Sequence, residues 1–159
     1  MKRAVLFCLS LLIVIFLFSC EILPESVIVH AEEEDALNSS AETAEVTGIT
    51  LNNTWNEING SIASSTDYDY YRVDVAPGKT GIELRVYYNG EKLEGFLGIN
   101  WFPMGFNAYD ASGEIIEYFI YQGAVETQDF SDLTDLAYLV FYVRGEENYS
   151  SGDYVIKFF

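Results

Sequence analysis

The sequence predicts an all-β fold, an antiparallel, jelly-roll-like β-sandwich of roughly seven to nine strands. Two observations lead there. Between residues 48 and 159, short runs of alternating apolar and polar residues are broken by turn residues about every ten positions. Over the same span no stretch repeats its apolar residues at helical spacing, apart from a candidate single turn at residues 131–136.

The chain opens on Met1-Lys2-Arg3, and residues 4–18 form an almost unbroken apolar run. A basic start before a short apolar core is the pattern of a secretory leader, and the run stops short of the ~20 residues a spanning helix needs. Val29-His30-Ala31 presents small residues where a signal peptidase reads, so residues 1–31 are expected to be the leader. The alternative is a lipoprotein cut within Leu17-Phe18-Ser19-Cys20, which would leave Cys20 lipidated and the domain tethered to the cell surface. Residues 32–47 are acidic, small and free of aromatics, and read as a flexible spacer ahead of the domain at 48–159.

Within the domain, residues 55–62 form the first expected strand. Residues 69–75 alternate, with Tyr71, Val73 and Val75 on one face and Tyr70, Arg72 and Asp74 on the other. Pro77-Gly78 then makes a turn, Pro presetting φ and Gly accepting positive φ. Residues 81–88 set Ile82, Leu84, Val86 and Tyr88 opposite Glu83, Arg85 and Tyr87. Asn89-Gly90 is a strong turn signal, and the polar stretch behind it suggests a loop longer than two residues. Further strands are expected at 98–101, 105–109 and 115–121, the last two joined by a hairpin at Ser112-Gly113. Residues 137–144 are almost wholly apolar, as befits a central strand covered on both faces. Residues 152–159 close the domain with Tyr154, Ile156 and Phe158 on one face.

Charge and composition narrow the chemistry. The chain carries 25 acidic and eight basic residues, a net charge of −17. Such a charge repels nucleic acid and anionic lipid, since phosphate binding runs through Lys and Arg. It admits cations, basic partners and neutral polymers; the plainer reading is that it keeps an exported protein in solution. A cut after Ala31 removes Cys8, Cys20 and His30, the only cysteines and the only histidine. Histidine-assisted or thiol nucleophilic catalysis, and the usual His/Cys metal sites, then have no residues to use. Carboxylate pairs, the remaining route to a hydrolase, need a concave pocket that the sequence does not show, so the sequence points to no enzyme.

Two sets of residues stand as candidates for binding. Asp67 and Asp69 lie two apart, so on an extended strand their carboxylates share a face and begin a calcium site; the plainer reading makes them turn residues. Aromatic residues make up 16% of the chain, and Tyr87, Trp101 and Tyr118 are candidates to stack on sugar rings or a fibrous polymer. Tyr68 and Tyr70 fall in the same outward register. The plainer reading is that aromatics favour strands and serve the core or the edges.

Two stretches resemble the bacterial pre-peptidase C-terminal domain family. One runs Ile58-Asn59-Gly60-Ser61-Ile62, then Asp67 to Val75 as D-x-D-x-Y-x-V, then Pro77-Gly78-Lys79 and Leu84-Arg85-Val86. The other runs Ala108-Tyr109-Asp110-Ala111-Ser112-Gly113, then Tyr138 to Val143, then Ser151-Gly152-Asp153-Tyr154-Val155-Ile156. Together they cover most of residues 46–159. The resemblance implies a jelly-roll-like accessory module of exported proteins, binding a polysaccharide or a protein such as collagen, sometimes with calcium. Gly105 stands where the family pattern carries an acidic residue, which weakens the transfer of a calcium site. The expectation is a secreted or surface-tethered, non-catalytic binding module with no nucleic acid partner, meeting membrane only through a lipid anchor. A structural or export-assisting surface protein without a ligand site is the alternative.

Overall fold

The computed structural model describes residues 28–32, 40–93, 103–120 and 126–159. Eleven strands in these residues build two sheets packed face to face. The first sheet runs β1 (Ile28–Ala31), β3 (Asn56–Ile62), β11 (Gly152–Phe158), β5 (Gly81–Tyr88) and β6 (Glu91–Lys92), with β9 (Glu126–Asp129) sharing the free edge of β5. The second runs β2 (Glu45–Leu51), β4 (Tyr68–Val75), β10 (Leu136–Arg144), β7 (Met104–Asp110) and β8 (Ile115–Ile120).

The core follows from strand alternation. Ile58, Leu84, Val86, Ile156 and Phe158 point inward from the first sheet, and Tyr71, Val73, Phe106, Leu139, Phe141 and Val143 meet them from the second. The expected faces of residues 69–75 and 81–88 are those observed, with Tyr71, Val73, Ile82, Leu84 and Val86 buried. Strand β10 is the central strand of its sheet, as its apolar run predicts. Val140 points away from the core yet is only 2% exposed, so the outer side of β10 is covered at that residue, while the outward Tyr138 and Tyr142 stay half-buried.

Several expectations need correction. The sheets are mixed, because β1 pairs parallel with β3 and β2 parallel with β4. Both parallel strands come from segments read from composition as leader and spacer. Glu45, Val46 and Thr47 belong to β2, and the backbone of residues 28–31 pairs along β3. Leader-like composition hid β1 and acidic, spacer-like composition hid the start of β2, since an edge strand needs only one inward side chain in two. Asn89-Gly90 closes a two-residue hairpin, Tyr88 opposite Glu91, with φ of 49° and 81° at its two positions. Residues 131–136 hold turns and no helix; among the described residues the only helical turn is a 3₁₀ turn at Ala41–Thr43, capped by Ser40. The strand expected at 98–101 lies outside the described residues. No helix among them is long and apolar enough to cross a membrane.

Candidate functional site

The outer face of the five-stranded sheet gathers tyrosines. Strand alternation turns Tyr138, Val140 and Tyr142 outward from β10, Tyr68, Tyr70 and Arg72 from β4, Tyr109 from β7 and Tyr118 from β8. Register then sets neighbours: Tyr142 lies between Tyr70 and Gly105, Val140 between Arg72 and Asn107, Tyr138 beside Tyr109. A Cβ on Gly105 would run into the Tyr142 hydroxyl and the Phe119 carbonyl, so the absent side chain lets Tyr142 lie across β7. Tyr109 and Tyr138 stack at 4.9 Å and 4°. The Arg72 guanidinium sits 3.8 Å over the Tyr138 ring and donates from Nε and Nη2 to Asp74 Oδ1. Tyr68 and Tyr70 are near parallel at 6.5 Å, and Tyr70 leans on Tyr142 at 6.3 Å.

On this face an open groove of about 410 Å³ is lined by Tyr138 and Val140 of β10, Arg72, Tyr109, Gly113, Ile115 and residues of the segment 41–46. Tyr68, Tyr70, Tyr118 and Tyr142 stand on the same face outside that lining. Tyr118 (66% exposed) and Ile120 (59%) extend its apolar surface along β8. Burial, then the neighbouring Tyr68, pushes the Tyr70 phenol above its ordinary value, and burial does the same to Tyr142. Both phenols therefore stay neutral and keep an O–H to donate. Glu42 is held below the usual carboxylate range by a backbone hydrogen bond and by Ser40, which leaves it charged at the rim. Flat rings, neutral hydroxyls and one rim carboxylate suit a ligand with apolar faces and hydroxyl edges.

The residues singled out from sequence scatter. Tyr118 lies beside the groove. Tyr87 lies on the opposite outer face, with the Lys157 ammonium 5.5 Å from its ring centroid. Trp101 and Cys20 lie outside the described residues. Asp67 caps a turn, its Oδ2 accepting from the Ala63 amide at 2.7 Å and its Oδ1 from the Tyr68 amide at 3.0 Å. Asp69 is 1% exposed and accepts the Tyr154 hydroxyl at 2.8 Å. Among the described residues no three His, Cys, Asp or Glu side chains gather in a way that could hold a metal.

Asp69 instead anchors a buried polar cluster that the sequence reading missed. Tyr71 and Tyr154 meet hydroxyl to hydroxyl at 2.6 Å from opposite sheets, above Gly60, where a Cβ would strike both hydroxyls. Burial first, then the charges of Glu32 and Asp67, pushes Asp69 up to about 8 against the lowering by Tyr154. Burial thus favours the protonated form of Asp69 well above the usual carboxylate range. The signal for this cluster was already in the chain: Gly60, the D-x-D-x-Y run and the G-x-Y run carry the resemblance, and three of the cluster's side chains come from those runs.

No family model matches the chain, and no curated protein matches its sequence. Solved structures overlap it in part. The pre-peptidase C-terminal domain of a collagenase from Bacillus anthracis is 17% identical over 86% of this chain and 97% of that one, with a TM-score of 0.39. PliG of Aeromonas hydrophila, a periplasmic inhibitor of g-type lysozyme, is 10% identical over 83% of this chain and 95% of its own, at 0.36. A disulfide-linked pilus protein of Bacillus endospore appendages reaches 9% identity over 66% of this chain and 84% of its own, at 0.28. None of the three defines a family for this chain, and the site stands on its own geometry.

Proposed function

We propose that the chain is a secreted or surface-tethered, non-catalytic binding module of the pre-peptidase C-terminal type, and that the tyrosine-bearing outer face of the five-stranded sheet holds an extracellular neutral polymer. The single observation that carries this reading is the set of rings without a covering cation on this face, Tyr68 and Tyr70 of β4, Tyr142 of β10 and Tyr118 of β8, beside a groove whose only lining cation is Arg72. Sugar rings present flat C–H faces and hydroxyl edges, and a proline-rich extended chain such as collagen presents flat pyrrolidine faces; both suit neutral phenols. A net charge of −17 favours a neutral polymer over an anionic one.

The test is retention of the full exported chain on insoluble polysaccharides and on collagen, beside a Tyr118→Ala/Tyr142→Ala variant that still folds. Saturable binding by the parent, weakened in the variant, supports the reading. Absence of saturable binding across the panel sinks it and leaves the structural or export-assisting role. Release of soluble sugars or peptides would show turnover and overturn the non-catalytic part.

A further inference from the structure

The triplet that resembles a peptidase site, Val29-His30-Ala31, is built into the sandwich. Residues 28–31 lie in register with residues 56–59 of β3, the Ile28 amide donates to the Trp55 carbonyl at 3.3 Å, and the Glu32 amide donates to Asn59 at 2.9 Å. Of the four strand residues only His30 is partly buried, the other three being exposed. Its Nε2 lies 2.7 Å from Glu45 Oε1 on β2, and its ring meets Tyr71 edge-on at 6.1 Å. His30 therefore ties the edge strand of one sheet to the edge strand of the other. Glu32 continues the contact, its Oε2 accepting the Ser61 amide at 3.0 Å.

We infer that residues 28–32 are a strap retained in the exported protein, and that the leader is cut ahead of Ile28 rather than after Ala31. A cut after Ala31 would strip the outer partner from β3, leaving a bare seven-residue edge of the kind that invites pairing with other chains. It would also leave Glu45, whose side chain is only 14% exposed, without its histidine. The sequence offers an upstream cut at Leu17-Phe18-Ser19-Cys20, with seven residues between Cys20 and the strap. This inference is independent of the polymer reading.

The test is to express the full chain with its own leader in an exporting bacterial host and to determine the N-terminus and intact mass of the product. A start between Cys20 and Ile28 is expected. A start at Cys20 with the mass of a diacylglycerol supports the strap and makes it the link to the membrane. A start in that interval without lipid supports the strap alone. A start at Glu32 overturns the inference. As a second readout, His30→Ala in the exported chain should lower the melting temperature by about 3–6 °C; an unchanged melting temperature would also overturn it.

Discussion

The two outer faces of this sandwich are both aromatic, yet they are finished differently. On the six-stranded face three half-buried rings among the described residues each have a cation against them. Arg85 lies 4.3 Å over Trp55 and pairs with Glu83, Lys157 covers Tyr87 and pairs with Glu57 at 2.9 Å, and Lys79 sits 4.7 Å from Phe159. On the five-stranded face the rings of Tyr68, Tyr70 and Tyr142 neighbour one another, Tyr118 is 66% exposed, and among the described residues Arg72 alone covers a ring, that of Tyr138. Counting aromatics cannot separate a binding face from a self-satisfied one. What separates them is whether the protein has supplied its own cation to each ring.

The sharpest way to break this contrast is to spoil the packing beneath it. Gly105→Ala drives a methyl into the Tyr142 hydroxyl and the Phe119 carbonyl, and should cost about 1–3 kcal/mol in denaturant unfolding. Next comes binding itself. Removing two stacking rings with Tyr118→Ala/Tyr142→Ala should weaken polymer affinity roughly tenfold, about 1.4 kcal/mol. Tyr87→Ala should leave affinity unchanged, and an equal loss from both variants would erase the distinction between the faces.

A smaller effect concerns the interior that both faces share. Asp69 keeps its proton in the folded state up to about pH 8, whereas its ordinary value is 3.8. Below about pH 4 both states hold the proton; from there to about pH 8 only the folded state does, so this group's contribution to stability declines as pH rises across that window. Asp69→Asn should flatten the slope of melting temperature against pH relative to the parent, and parallel slopes would refute the neutral acid. The smallest expected change is Lys157→Gln on the six-stranded face. A partly exposed pair of this kind is worth about 0–1 kcal/mol, so unfolding should barely shift and polymer retention should stay constant.

Much of the fold was legible because alternation reports burial directly. Residues 69–75 and 81–88 carry their inward and outward sets openly, and the apolar run of 137–144 announced a central strand. The same run concealed the groove. With Val140 buried on the outer side, no polar residue marks which of Tyr138, Leu139, Val140, Phe141 and Tyr142 face out, so Tyr138 and Tyr142 read as core. Tyr118 was legible because its strand carries Glu117 and lies at the sheet edge. Asp67 and Asp69 looked like a pair from their spacing, but one ends a turn while the other enters the core, a division made by tertiary contacts with Ala63 and Tyr154. The strap was invisible for another reason: leader-like and spacer-like composition describes its side chains, whereas its place is set by backbone pairing.

The excess of acid has a consequence in brine. The chain carries 25 acidic against eight basic residues, and Arg72, Arg85, Arg144 and Lys157 are each already paired with a single carboxylate, so most carboxylates have no cation beside them to balance their charge. What remains between surface acids is mutual repulsion, and dissolved salt shortens its reach from about 10 Å at 0.1 M to about 3 Å at 1 M. Rising ionic strength should therefore firm this domain rather than loosen it. A neutral polymer brings no charge for salt to screen, and the hold of this face on it should be as good in seawater as in fresh.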